Sequence, residues 1–179
     1  MEKLLADDRL ARRDLERVYE GLFLSAFTRF EVLLEDLFFG LLVGRVSCYS
    51  CDSYPRVNFQ SEKVARQVIL RERRYLDWLP YGKTEELAKS FFRGGRPFTR
   101  LDDGEKSKLQ TSLFIRNAIA HKSTYSSKIF TEKVLGSTPL APRERTPAGF
   151  LRSQYRINQT RFQLYMNDVL AVSKKVCHR

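Results

Sequence analysis

Arg116, Asn117 and His121 stand inside an otherwise apolar helical run, Leu113 to Ser123. Burying such groups is costly unless they are paired or used. They are the residue types that phosphodiester cleavage in RNA requires when the 2′-hydroxyl is the nucleophile. That reaction needs a base for the hydroxyl proton, an acid for the leaving 5′-oxygen and positive charge on the phosphorane. His121 can take or give the proton near neutral pH. Arg116 is permanently charged and can fork two phosphate oxygens. Asn117 can orient a phosphate or the imidazole. The chemistry needs no metal and no cofactor, and no carboxylate cluster suited to a metal is visible.

Placed on a helix, Gln110, Asn117 and His121 share a stripe within roughly 40° of one another, beside Phe114, whereas Arg116 lies about 140° from His121. One chain offers one internal histidine, the other being the penultimate His178. Two proton transfers therefore favour a two-fold dimer in which one His121 serves as acid and the other as base. The structural alternatives are plain. Arg116 would pair with Glu31, Asn117 would cap a backbone kink, and His121 would be a satisfied core histidine.

The chain that must position these groups has 179 residues, 42% hydrophobic, enough for one domain (1–179) with a real core. Its net charge of +11 favours a polyanionic partner, and RNA suits the candidate chemistry. Met1 to Arg17 is charged and has no apolar stretch, so no secretory leader is expected and a cytoplasmic location is. The most apolar stretch, Leu22 to Val43, contains Arg29, Glu31, Glu35 and Asp36 and reads as a buried helix, not a membrane span. Cys48, Cys51, Cys177 and His178 could just supply a zinc set, but free thiols are the favoured reading.

Apolar residues at helical spacing run from Leu4 to Leu41, predicting one long helix or two in line. Gly44 to Phe59 reads as a loop, and helix returns from Ser61 to Leu70. The basic run Arg71 to Arg74 is followed by Tyr75, Trp78 and Tyr81. Basic plus aromatic suits unstacked bases. Tyr75, Leu76, Trp78 and Leu79 also suit a packed cap, which is the favoured reading. Pro80-Tyr81-Gly82 reads as a turn, with a helix from Thr84 to Phe92 stopped at Gly94-Gly95. Asp102 or Asp103 is expected to cap the helix that carries the Arg116 motif. A further helix follows Thr124 and ends at Gly136. Ser137 to Gly149, with three prolines, reads as a loop, and Tyr155 to Val176 as the last helix. No strand pattern emerges. The class is all-α.

Arg116-Asn117-Ala118-Ile119-Ala120-His121 resembles the Arg-x4-6-His motif of the HEPN superfamily, in which a polar residue commonly follows the arginine. Ser25 to Phe39, with Glu31 amid aromatics, resembles the first helix of that superfamily. The resemblance implies an up-and-down bundle of four to five helices with long loops. It implies a metal-independent endoribonuclease that dimerises with the motif at the shared cleft. It also implies a toxin or phage-defence role, nearest to the stand-alone bacterial groups, and allows an antitoxin or regulatory protein as partner. On that reading Arg116, Asn117 and His121 are catalytic and Glu31 and Lys122 support them. A second reading is a non-catalytic helical module that binds nucleic acid or protein. In either case Arg71, Arg73, Arg74, Arg93 and Arg96 are the candidate phosphate contacts.

Overall fold

Apolar side chains recurring from Leu15 to Leu42 make one unbroken helix, α1 (Arg12–Leu42), of 31 residues. The computed structural model describes residues 11–46 and 54–177. The readings at Leu4, Cys48, Cys51 and His178 lie outside the described residues. After α1 come α2 (Glu62–Leu70), α3 (Tyr81–Phe91), α4 (Asp103–His121), α5 (Thr124–Phe130), α6 (Pro147–Arg152) and α7 (Arg161–Cys177). One small antiparallel pair, β1 (Gln154–Arg156) and β2 (Gln159–Thr160), separates α6 from α7 in the chain. The fold is predominantly all-α.

The chain divides into two compact units, one of residues 1–28 and 111–168, the other of residues 29–110 and 169–179. The division points fall inside α1, α4 and α7.

The first unit is held by aromatic rings. Phe23 stacks on Phe27 with centroids 5.3 Å apart, and Phe162 of α7 meets Tyr19 edge-on at 5.3 Å. Phe150 of α6 meets Phe130 of α5 edge-on at 5.8 Å and lies against Tyr165. Such offset and edge-on pairs add roughly 0.5–1.5 kcal/mol each beyond area burial. Burial pushes the Tyr165 hydroxyl up to about 12. Two expectations are corrected here. The loop expected to reach Gly149 ends at Thr146, whose hydroxyl accepts the Gly149 N–H at 3.1 Å, with Pro147 in the first turn of α6. The last helix begins at Arg161 instead of Tyr155. Asn158 takes φ 63, which folds Gln154 to Thr160 into a hairpin.

In the second unit Phe38 is fully buried among Trp78, Phe92 and Phe98, at centroid distances of 5.2 to 5.6 Å. Glu35, one of the charged residues within the apolar stretch Leu22 to Val43, reaches other elements of its unit. It accepts from Arg66 Nη1 and from the Trp78 indole N–H, the latter at 3.0 Å. Arg66 also lies 4.3 Å over the Phe39 ring. The expected turn at Pro80-Tyr81-Gly82 is already helix. Pro80 enters α3 at φ −63, the Tyr81 hydroxyl donates to the Phe98 carbonyl at 2.9 Å, and Thr84 donates to the Trp78 carbonyl at 2.6 Å. Asp102 caps α4 as expected. Its Oδ1 accepts the Glu105 N–H at 2.8 Å while Glu105 Oε2 accepts the Asp102 N–H at 2.9 Å.

Candidate functional site

The C-terminal half of α4, in the first unit, turns Ile115, Ala118 and Ile119 into the core. That leaves Arg116 and Asn117 half-buried and His121 exposed at the last helical position. His121 makes no hydrogen bond or ion pair among the described residues and is not a core histidine. The imidazole is therefore exposed and without a polar partner among the described residues.

Local chain chemistry fixes where it stands. Lys122 takes φ 48, the left-handed conformation that ends a helix. Ser123 then caps α5: its Oγ accepts the Ser126 N–H at 3.1 Å, and Ser126 Oγ accepts the Ser123 N–H at 3.1 Å. Two residues, Lys122 and Ser123, thus separate the two helices. Lys122 Nζ lies 3.4 Å from Glu20 of α1, and its side chain is 71% exposed. Such an exposed pair contributes roughly 0–1 kcal/mol, so Lys122 ties the end of α4 down only lightly.

Arg116 Nη1 donates to Asn117 Oδ1 at 3.1 Å. The Asn117 amide oxygen thus holds the guanidinium, a contact not among the roles read for it in the sequence. The remaining guanidinium N–H groups are left for an anion. No hydrogen bond joins Arg116 to His121, in keeping with about 140° between them on one helix. Asn117 was legible as a polar position, but Tyr125 was missed. It is 74% exposed on the first turn of α5, close in sequence to His121.

The remaining predicted residues lie in the second unit. Glu31 is half-buried on α1. Arg71 ends α2 at φ 53, and Arg71, Arg73 and Arg74 are exposed. Arg93 and Arg96 are exposed on the turn after α3, where the Arg93 N–H donates to the Tyr54 carbonyl at 2.8 Å. The expected aromatic cap splits. Trp78 and Leu79 are buried, whereas Tyr75 is 72% exposed. The indole N–H bond to Glu35 pulls Trp78 inward, and Tyr75 stays outside beside a cavity of about 730 Å³.

Among the described residues no three His, Cys, Asp or Glu side chains are grouped to hold a metal ion. Cys177 is a half-buried free thiol, while Cys48, Cys51 and His178 lie outside the described residues. No described helix is long and apolar enough to cross a membrane. Comparison with models of known families, with curated proteins and with solved structures finds no match.

Proposed function

We propose that the protein is a metal-independent endoribonuclease of HEPN type, working as a homodimer and cleaving RNA by attack of the 2′-hydroxyl. One observation carries the reading. An exposed, unpartnered imidazole ends the same helix that carries a guanidinium held by its neighbouring asparagine. His121 of one copy removes the 2′-hydroxyl proton, and His121 of the other protonates the leaving 5′-oxygen. Arg116, oriented by Asn117, bears on the phosphorane oxygens. Lys122, next to His121 in the chain, supports the site. The products are a 2′,3′-cyclic phosphate or 3′-phosphate end and a free 5′-hydroxyl. The resemblance further suggests a cytoplasmic toxin or phage-defence effector with an antitoxin or regulatory partner.

Purified protein incubated with single-stranded RNA in EDTA tests the proposal, with His121→Ala alongside. Cleavage by the parent and none by the variant is the expected result. Equal cleavage by both sinks the mechanism, and so does a strictly monomeric active species.

A second reading, a non-catalytic nucleic-acid-binding module, is favoured by a different observation. The side chains of Arg71, Arg73 and Arg74 make no hydrogen bond or ion pair among the described residues. Salt-sensitive RNA binding that survives His121→Ala, with no new RNA ends, selects it.

A further inference from the structure

We propose that the cavity beside Tyr75 is a nucleotide pocket that seats one unstacked base of a single-stranded RNA. This is a binding site separate from the His121 helix end and independent of cleavage; it shares with the proposed function only the premise of an RNA partner.

The cavity, about 730 Å³, lies in the second unit between the segment after α2 and one side of α3. Small-molecule sites commonly span roughly 300–1,000 Å³, so one nucleotide fits with room for its phosphates. Arg73, Arg74, Tyr75, Asp77, Lys83 and Glu86 line it. Each supplies something different. Tyr75, 72% exposed, offers a ring face that no other ring covers among the described residues. An aromatic face left in solvent costs hydrophobic area unless something stacks on it, and every base can. The Arg73 and Arg74 guanidiniums have no partner among the described residues, which leaves their forks open to phosphate.

Charge decides the class of ligand. Lys83 Nζ sits 2.8 Å from Asp77 Oδ2, so that acid is neutralised within the wall. Glu86 has no ion-pair partner among the described residues. A bare carboxylate in an otherwise cationic pocket opposes an acidic peptide. It suits a base, because a carboxylate accepts from exocyclic amino groups on a base edge. Arginines for the phosphates, a ring for the base face and a carboxylate for the base edge together describe a nucleotide. The base is one that bears an amino group, adenine, cytosine or guanine, in preference to uracil. A strand fits better than a free nucleotide, because Arg71 and Arg73 also line an adjoining groove of about 520 Å³ along α2, where a strand's neighbouring phosphates can lie.

Fluorescence anisotropy with labelled oligoadenylate and oligouridylate tests the assignment. The His121→Ala background in EDTA keeps the RNA intact, so failure of the pocket and failure of the cleavage mechanism read out separately. Oligoadenylate should bind more tightly than oligouridylate. Tyr75→Ala should weaken oligoadenylate about tenfold, while Tyr75→Phe keeps the affinity. Removing Arg73 or Arg74 should lower the salt slope by about 0.7 each. Glu86→Ala should erase the preference for oligoadenylate. All four side chains are exposed, and equal melting temperatures confirm intact folding. Unchanged oligoadenylate affinity in Tyr75→Ala overturns the proposal. Displacement of the RNA by polyglutamate from parent and Tyr75→Ala alike also overturns it, in favour of an acidic protein. Adenosine monophosphate binding as tightly as the oligomer overturns the assignment to a strand.

Discussion

Arg116 rests on its own sequence neighbour: its Nη1 donates to Asn117 Oδ1 across 3.1 Å. Adjacent helical residues do not ordinarily face each other. A long arginine can nevertheless bend back to a short amide, and the bond restricts the guanidinium to one side of α4. Asn117→Ala should free it and lower RNA cleavage about tenfold, a loss of roughly 1.4 kcal/mol of transition-state stabilisation. Arg116→Lys removes the fork altogether and should cost more. Single-turnover rates on one RNA substrate rank the two. A wild-type rate for Asn117→Ala removes any catalytic meaning from the contact.

Lys122 is expected to respond to substitution in an unusual order. Its φ of 48 is left-handed, which costs a non-glycine residue roughly 1–2 kcal/mol. Lys122→Gly relieves that strain and gives up only the loose pair with Glu20. Its melting temperature should match or exceed the parent's. Lys122→Val, β-branched at the same φ, should fall below it by the equivalent of about 1–2 kcal/mol. Thermal melts followed by circular dichroism decide the order.

Glu35 should be the most costly carboxylate of the second unit to remove. Glu35→Ala deprives Arg66 and the Trp78 indole N–H of their shared acceptor. Losing a bond to a charged group typically costs about 1.5–3 kcal/mol. Urea unfolding midpoints for Glu35→Ala and Glu35→Gln should both drop, the glutamine less because it keeps one acceptor. Arg66 also bonds Glu62 at 2.8 Å, so the pair of changes at Glu35 and Glu62 should not add simply.

Two buried tyrosines predict a loss of stability in alkali. Burial pushes the Tyr165 hydroxyl up to about 12, and burial with the nearby Glu85 pushes Tyr81 up as well. The sign follows from linkage. The unfolded chain releases these protons near pH 10, as free tyrosine does, and the folded chain holds them. The stabilisation is complete below pH 10 and is lost as pH rises through about 12. Tyr165→Phe keeps the ring contacts with Phe23 and Phe150 and should flatten part of that slope. Denaturant titrations between pH 9 and pH 12, approximate limits set by the ordinary tyrosine value, provide the check.

The legible features were those written in local pattern. Apolar spacing marked α1, and Asp102-Asp103 marked the start of α4. The separation of Arg116 from His121 follows from helix geometry alone. The hairpin escaped notice because Ile157, an apolar residue that reads as helix core, sits at its tip almost fully exposed. The start of α6 was signalled by Thr146-Pro147, a cap followed by a proline, but three prolines nearby argued for loop. The exposure of His121 depends on one left-handed lysine, and lysine carries no such preference. Tyr75 and Trp78 look alike in composition. Only the acceptor at Glu35, far away in sequence, sends one inward and leaves the other outside.

Trp78 is the only tryptophan of the chain, and it is buried in the second unit. Its emission therefore reports on that unit alone, while far-ultraviolet ellipticity reports on helix in both. Because α1, α4 and α7 each continue from one unit into the other, the two signals should melt at the same temperature. A gap between the midpoints would instead measure how far the half of the chain carrying His121 can come apart on its own.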